Sequence, residues 1–423
     1  MSTRRPALIL LGGSAVAWNQ RFLAAARARD LDVLLLDGPG PQAGALRPYA
    51  ADVAVAAARD LTGVVDRAAD WAGRYDVRGV CVLREEYVEA GGVVADLLGL
   101  PSPGLRAARV CRDKHLQRRY LAAWSPDSTL VTPAWRAGCA DTWSRFPVVV
   151  KPVGRLASSG VRLVTGPEQL RERLRGYGGD EPLLLEERVT GPEYSVESLS
   201  AGGAVGYAVI TGKRTTEADS EFFVETAHTT PAPDLAGEVA ERMLAVHEAV
   251  LERLAFDTGM AHAEYRVTPG GRVVLTEIAA RPPGDSIMAL HWLATGAPLE
   301  DAVVGLAVGE AVKHPAPVRF ARQVYLPHQP GTLRDLTVDP ALGTAPTWFD
   351  PAVVRPQVSG CGSAGDPPAL RCVVGLKPPG TVLGPVRESG DRAAMVVVDA
   401  DTPAELDAVE ARCRAAITLR VAR

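Results

Sequence analysis

The chain has 423 residues, which is too long for one compact core and predicts two or three subdomains. Hydrophobic residues make up 47% of the sequence and charged residues 23%, the balance of a globular protein with a large core. A net charge of −4 argues against a nucleic-acid binder, and no apolar run approaches the roughly 20 residues of a membrane-spanning helix. We therefore expect no nucleic acid and no membrane among its partners.

Two features bear on the compartment in which the protein works. Its six cysteines contain no Cys-x-x-Cys pair, which argues against a zinc site or a disulfide framework and favours a reducing cytosol. Arg4 and Arg5 precede an apolar stretch and could instead begin a twin-arginine export signal. That stretch is short, and cleavage after it would remove the first strand of a folding unit. We therefore favour a cytoplasmic protein.

The first hundred or so residues alternate between short apolar strands and helices. The pattern predicts strands and helices in turn, at residues 7–11, 20–29, 33–36, 53–55, 61–75 and 79–83. Such alternation indicates a parallel sheet covered by helices. Gly12 and Gly13 follow the first strand but do not form G-x-G-x-x-G, and an acid after the second strand, Asp37, is common by chance. We therefore expect a structural domain here rather than a nicotinamide or flavin site.

A lysine at the end of a buried strand opens the informative part of the sequence. Lys151 ends a β-branched strand, where an ammonium needs an anion. Segment 154–161 follows, and the backbone and hydroxyls of Ser158, Ser159 and Gly160 could contact phosphate oxygens. Either feature alone is weak, but together they predict a loop that covers a phosphate. Only five of the 46 basic residues are lysines, so each lysine is a candidate for a role that needs a compact ammonium.

Acidic residues follow the next apolar strand. Glu186 and Glu187 end that strand, and after a Gly-Pro turn the strand pattern resumes at Glu193. Acids at an exposed turn are usually solvated, which is the simplest interpretation. Their position after a phosphate-covering loop also suits a hinge that holds an adenine.

Two carboxylates are predicted to meet across a hairpin. The strands lie on either side of a Pro-Gly-Gly turn, and side chains alternate along each strand, so His262, Glu264 and Arg266 share one face. Glu264 can then face Glu277 across the turn. Paired carboxylates repel unless a cation lies between them, and hard oxygen ligands beside a polyphosphate favour Mg²⁺. Arg281 follows and suits bidentate contact with a phosphoryl group.

The last part of the chain is regular after a stretch rich in proline and glycine. A break near residues 314–317 precedes that stretch, and residues 395–398 predict a strand. Thr402, Pro403 and Glu405 form the N-cap, N1 and N3 pattern that begins a helix. The predicted buried face of this helix consists of Leu406, Val409, Cys413 and Ile417.

Taken in chain order from Lys114 to Gly284, these motifs resemble the ATP-grasp superfamily of carboxylate–amine ligases. The ordered set is more specific than any one motif. The resemblance implies an α/β protein, α+β in its ATP-binding part: an ATP-grasp fold with an N-terminal Rossmann-like parallel-sheet domain and a small C-terminal α+β domain. The implied domains span residues 1–105, 106–315 and 316–423. The second would comprise a lid subdomain at about 112–182 and a metal-binding, catalytic part at about 183–315.

The resemblance implies that ATP lies between the loop and the acidic hinge. Lys114 and Lys151 would contact its phosphates. The loop, the adenine hinge and a ribose-binding acid would supply the remaining contacts, from Ser158, Ser159, Gly160, Glu186, Glu187, Val189 and Glu193.

The resemblance also implies the catalytic groups. Glu264 and Glu277 would hold Mg²⁺, with Mn²⁺ as an alternative metal, while Arg281 and Lys151 would stabilise the transferred phosphoryl group. Many members carry an asparagine two residues after the second glutamate. This chain has Ala279 there, which removes one oxygen ligand and leaves the number of metal ions open.

Segments 222–232 and 277–284 are more similar to one branch, the L-amino acid ligases, which join amino acids into dipeptides. The C-terminal region is similar to the small last domain of those ligases. By analogy His228 would lie near the terminal phosphate or the incoming substrate, although a lone histidine is more often structural.

These implications predict an ATP-dependent, ADP-forming ligase that activates a carboxylate as an acyl phosphate and joins it to an amine, with a role in specialised metabolism. Its partners would be small-molecule carboxylate and amine substrates, most simply amino acids. Two alternatives stay open: an ATP-grasp carboxylase or thioester-forming ligase, and an ATP-binding protein without turnover. The sequence identifies neither substrate nor a general base, and it leaves a homodimer open.

Overall fold

The computed structural model of the protein describes residues 4–13, 20–40, 47–218, 220–350, 358 and 360–422. Its N-terminal part is a four-stranded parallel sheet of β1 (Pro6–Leu11), β2 (Asp32–Asp37), β3 (Asp52–Val55) and β4 (Asp76–Val82), in the spatial order β3-β2-β1-β4. Three helices accompany these strands: α1 (Arg21–Arg27), α2 (Leu61–Arg74) and α3 (Val88–Leu98). The predicted parallel sheet is therefore confirmed, with element boundaries that shift by a few residues.

Both faces of this sheet are buried, which explains why its strands are continuously apolar. On one face Ile9 packs in a cluster with Trp71 of α2, whose side chain is fully buried. On the other face Leu8 packs in a cluster with Leu299 and Val304 from the central part of the chain. The N-terminal sheet is thus fixed against the region that carries the predicted site.

A small antiparallel sheet follows, with the spatial order β5-β8-β6-β7 for its strands β5 (Ser128–Val131), β6 (Val148–Pro152), β7 (Arg162–Val164) and β8 (Leu183–Glu187). The helices of this region are α4 (Leu105–Cys111), α5 (Lys114–Tyr120), α6 (Pro133–Thr142) and α7 (Pro167–Leu174). The Asp113 side chain accepts hydrogen bonds from the amides of His115 and Leu116 and so begins α5 at Lys114.

The largest sheet has nine strands in the order β13-β12-β9-β10-β11-β14-β19-β17-β16. Its strands are β9 (Glu193–Ala201), β10 (Ala204–Thr215), β11 (Glu225–Thr230), β12 (Gly259–Val267), β13 (Val273–Ala279), β14 (Phe320–Tyr325), β16 (Thr347–Trp348), β17 (Ala369–Gly375) and β19 (Ala394–Ala400). A three-stranded sheet contains β15 (Gly331–Val338), β18 (Val382–Leu383) and β20 (Ile417–Ala422). The remaining helices are α8 (Glu238–Leu254), α9 (Ile287–Thr295), α10 (Leu299–Ala307) and α11 (Pro403–Ala416).

The predicted hairpin lies at one edge of the large sheet. Glu264 of β12 and Glu277 of β13 are register partners, as the alternation of side chains predicted. Ala263 and Tyr265 are fully buried in the same hydrophobic cluster as Leu254 of α8. Glu264 points to the opposite face, where it lines a cavity.

The C-terminal helix α11 begins as predicted. Thr402 and Glu405 form a capping box, in which each side chain accepts a hydrogen bond from the backbone amide of the other residue. Leu406, Val409 and Cys413 are buried against the large sheet. Ile417 is buried too, but it is the first residue of β20 and does not belong to the helix. Within the described residues, no helix combines the length and the apolar character needed to cross a lipid bilayer.

Replacing Thr402 by alanine should lower the free energy of unfolding by about 1 kcal/mol, because the amide of Glu405 loses its acceptor. Thr402→Ser keeps the hydroxyl and serves as the matched control. Urea denaturation followed by circular dichroism measures both variants. An unchanged midpoint for Thr402→Ala would contradict the capping role.

Candidate active site

A cavity of about 330 Å³, here called the first cavity, lies between the small antiparallel sheet and the large sheet. Lys151 of β6 and Glu186 of β8 line it from the small sheet. Lys213 of β10, Glu264 of β12 and Glu277 of β13 line it from the large sheet. Because each side chain projects from a paired strand, the backbone ladders fix the relative positions of these charges.

The structure brings almost all of the predicted site residues to this cavity. Those that line it are Lys114, Lys151, Ser158, Ser159, Glu186, Glu187, Val189, Glu193, His228, Glu264, Glu277 and Arg281.

Gly160 is the one predicted site residue that is not among those lining the cavity. Its φ of +75° and a Cβ position only 3.0 Å from Arg155 and Pro152 disfavour any residue with a side chain. Its carbonyl accepts a 2.6 Å hydrogen bond from the Tyr177 hydroxyl. In this structure Gly160 therefore shapes the loop, whereas Ser158 and Ser159 face the cavity.

Glu186 is the counter-ion of two buried cations. Its two carboxylate oxygens lie 2.6 Å from Arg118 Nε and 2.7 Å from Lys151 Nζ. Arg118, which the sequence analysis missed, also has a buried Nη1 without a hydrogen-bond partner among the described residues. Of the two predicted hinge acids, Glu187 is the exposed one, and it pairs with Arg272 at 3.1 Å.

The environment of Lys151 makes its charge sensitive to pH. Burial, together with repulsion from Arg118, lowers the pKa of Lys151 to about 8, although Glu186 and Glu277 oppose the shift. The pKa of Glu186 is lowered, since attraction to Arg118 and Lys151 outweighs the opposing effect of burial. The carboxylate therefore stays ionised, and the ammonium loses its proton at a mildly basic pH.

Lys213 is a further residue that the sequence analysis did not assign. It faces Glu193 across the β9–β10 pairing, and its side chain is only 1% exposed. Its ammonium bonds to Glu264 and lies 3.2 Å from Glu193 and 3.7 Å from Glu225. Burial opposes the charged form, but these carboxylates raise the pKa of Lys213 well above its ordinary value. The scarcity of lysine in the sequence was the signal that could have identified it.

The predicted metal-binding carboxylates line the cavity together. Glu277 lies 2.9 Å from Lys114, and Glu264 is held by Lys213. Within the described ranges no group of three or more His, Cys, Asp or Glu side chains is arranged to hold a metal ion, and Ala279 offers no side-chain oxygen. Two hard carboxylates on one face suit Mg²⁺ when phosphate oxygens and water supply its other ligands.

A buried hydrogen-bond chain supports Glu264 from behind. His262 Nε2 lies 3.4 Å from Glu264, and its Nδ1 lies 2.7 Å from Glu197, which is fully buried. Although burial opposes it, the hydrogen bonds to Glu197 and Glu264 raise the pKa of His262 to about 9. Glu197 also accepts from Thr211 at 2.6 Å and lies 3.2 Å from His291. This series of hydrogen-bonded side chains restricts the orientation of the Glu264 carboxylate.

The far end of the cavity is organised around Asp285. His228 Nε2 lies 2.9 Å from its carboxylate and Arg392 Nη2 lies 2.8 Å from it. Burial opposes ionisation, but Arg392 and His228 hold the pKa of Asp285 well below its usual range. Asp285 has a φ of +53°, a strained conformation for a residue with a side chain. His228 Nδ1 is buried without a hydrogen-bond partner in the part of the chain that the structure describes.

Arg281 reaches the cavity with a partner from the N-terminal region. Its Nε donates to Glu85, which is buried, and its Nη1 donates to the carbonyl of Pro282. Glu85 was not predicted, because it lies almost 200 positions away in the sequence. The pair holds Arg281 in place at the cavity wall.

Two protein families match separate parts of this chain. Residues 144–289 match the ATP-grasp domain, and residues 356–422 match the L-amino acid ligase C-terminal domain 2. The architecture resembles a solved L-amino acid ligase from Bacillus licheniformis, with a TM-score of 0.77, 19% identity and complete coverage of both chains. The predicted α/β class and ATP-grasp fold are thereby confirmed.

Two curated relatives share a higher sequence identity with this chain but match less of its length. The uncharacterized protein y4rH of Sinorhizobium fredii is 28% identical over 320 residues, which are 72% of this chain and 64% of that protein, less than two thirds of its length. A D-alanine–D-alanine ligase of Geobacter sulfurreducens is 26% identical over 272 residues, which are 62% of this chain and 84% of that ligase.

The affinity for ATP should fall about tenfold between about pH 7 and about pH 9, because Lys151 loses its charge near pH 8. Isothermal titration calorimetry of the protein with ATP measures this. In Lys151→Arg, which stays charged throughout, the decline should disappear, and Lys151→Met should bind weakly at every pH. A decline that persists in Lys151→Arg would instead point to His262, whose pKa is about 9.

Proposed function

Because this chain is a member of the ATP-grasp superfamily, we propose that it is an ATP-dependent, ADP-forming ligase. It activates the carboxylate of an amino acid as an acyl phosphate and joins it to an amine. The observation that carries this proposal is the first cavity itself. Three of the five lysines of the sequence line it beside the register-paired carboxylates Glu264 and Glu277.

The cation arrangement supports the binding of a triphosphate. Lys114, Lys151 and Lys213 line one cavity, and each is held by at least one carboxylate. A polyphosphate exchanges with part of these contacts, so that its charge meets preorganised ammonium groups. Ser158 and Ser159 on the covering loop add hydroxyl donors.

The carboxylates Glu264 and Glu277 would hold Mg²⁺, which supplies neutralisation of the negative charge on the phosphate oxygens. His262 and Glu197 keep the Glu264 carboxylate oriented for that task. Ala279 contributes no ligand, so the protein itself provides two carboxylates at this site.

The reaction has two displacements. A substrate carboxylate oxygen attacks the γ-phosphorus, the bond to the ADP oxygen breaks, and an acyl phosphate forms. The nitrogen of an unprotonated amine then attacks the acyl carbon, inorganic phosphate leaves, and the nitrogen releases a proton. Lys151 and Arg281 stabilise the transferred phosphoryl group, and the loop of residues 154–161 excludes water that would hydrolyse the intermediate.

We choose an amino acid as the substrate because residues 356–422 match a C-terminal domain of L-amino acid ligases. His228 and Asp285 lie where the first cavity meets residues from the C-terminal region, Ser389 and Arg392. We therefore assign His228 to the substrate end of the site and ATP to the end with the lysines. The limits 1–105, 106–315 and 316–423 remain our proposed domains.

Replacing Glu277 by alanine should reduce ADP formation by about 100-fold or more, because one of the two metal-binding carboxylates is lost. Glu248→Ala, on the exposed face of α8, is the control and should keep full activity. Both are measured by coupled ADP release with Mg²⁺. Undiminished turnover in Glu277→Ala, with its circular dichroism unchanged, would refute the metal role.

The ligase reaction itself can be tested with ATP, Mg²⁺, pooled amino acids and hydroxylamine. We expect phosphate release that depends on amino acids, together with a hydroxamate from the trapped acyl phosphate. Mass spectrometry of carboxylate and amine pairs then identifies the product. Turnover only with bicarbonate or a thiol, or no turnover with any pair, would contradict the proposal.

A further inference from the structure

A second cavity of about 440 Å³ adjoins the first, and its volume lies within the usual range for small-molecule sites, about 300–1,000 Å³. Gly284, Asp285, Ser389 and Arg392 line both cavities, so the two meet at Asp285. Phosphoryl transfer takes place in the first cavity under the proposed function. The second cavity therefore extends beyond the point at which the acyl phosphate forms.

The walls of the second cavity are largely apolar. They include Phe22 and Leu83 from the N-terminal region, Met288 from α9, and Phe349 and Leu376 from the C-terminal region. Such a lining favours a substrate with an apolar body, since burial of apolar surface stabilises the complex by about 25 cal/mol per Å².

Among the described residues that line the second cavity, cationic side chains outnumber carboxylates. Asp285 is the one carboxylate among the described residues that line it, and it is already bound to His228 and Arg392. Arg21 also lines it, with its guanidinium stacked 3.7 Å from the centre of the Trp292 ring and 4.0 Å from Glu300. The cavity therefore carries an excess of positive charge.

Among the described residues, Lys377 is the cation of this cavity without a counter-ion. Among the described residues no carboxylate lies within ion-pair distance of its ammonium, and no hydrogen bond engages it. It is half-buried and lies two residues after the end of β17. Four of the five lysines of this chain line the two cavities, and Lys313 is the exception, on an exposed segment.

We propose that the second cavity binds the amine substrate, and that this substrate is an amino acid with an apolar side chain whose carboxylate pairs with Lys377. The inference rests on the proposed function. In amide formation the carboxylate of the activated substrate, the donor, becomes part of the new amide bond. An amino acid that supplies the amine, the acceptor, keeps its own carboxylate free and negatively charged. Lys377 supplies the complementary charge, the apolar walls take the side chain, and the amine lies toward Asp285, where the cavities meet.

The test compares amino acids with the amines that lack only the carboxylate. L-phenylalanine is paired with phenethylamine and L-leucine with isoamylamine. Calorimetry with the full chain, ADP and Mg²⁺ measures binding directly. The wild-type protein should bind at least one amino acid about tenfold or more tightly than its amine, because a charge-assisted hydrogen bond is lost in the amine.

Lys377→Met should abolish that preference, Lys377→Arg should keep it, and Lys313→Met is the matched control that should behave like the wild-type protein. In turnover assays Lys377→Met should raise the KM of the acceptor amino acid about tenfold and leave the KM of ATP unchanged. A preference that persists in Lys377→Met, no preference in the wild-type protein, or an effect on the donor carboxylate alone would overturn the inference. Because binding is measured without ATP hydrolysis, its failure is distinguishable from a failure of the ligase reaction.

Discussion

Burial of ammonium groups is the constraint on which the rest of this site depends. A lysine removed from water is costly unless an anion lies within a few ångströms. Lys151 meets Glu186, Lys114 meets Glu277, and Lys213 lies among three carboxylates. The same ion pairs that stabilise the folded protein hold these side chains in a fixed orientation. The stability requirements of the chain thereby prepare the site that we propose for a highly charged substrate.

The large sheet fixes the relative positions of these charged side chains. Glu193, Lys213 and Glu264 are on three neighbouring strands, so backbone hydrogen bonds set their separation. Glu85 holds Arg281 from the N-terminal region and Arg392 holds Asp285 from the C-terminal region. All three parts of the chain thus contribute a charge to one site, and no part forms the complete arrangement alone.

The sequence pattern within a short segment was enough to predict the features that depend only on neighbouring residues. The pairing of Glu264 with Glu277 follows from the period of two along a strand, and the start of α11 follows from Thr402 and Glu405. Contacts between distant segments could not be predicted in this way. Arg118 reaches Glu186 across 68 positions, and Glu85 reaches Arg281 across 196. Such pairs depend on how sheets and helices pack, and the repeating pattern of residues along a single strand or helix carries no information about that packing.

The continuity of the nine-stranded sheet bears on how this architecture could be recombined. β11 and β14 pair directly, with Ala227 opposite Val324, so the border between the central and C-terminal regions is a row of backbone hydrogen bonds. A chimera joined there would need a donor strand of matching length and register, or else β11 would present a bare edge prone to self-association. Exchange of C-terminal regions among relatives is therefore restricted to partners that bring an equivalent of β14 with them.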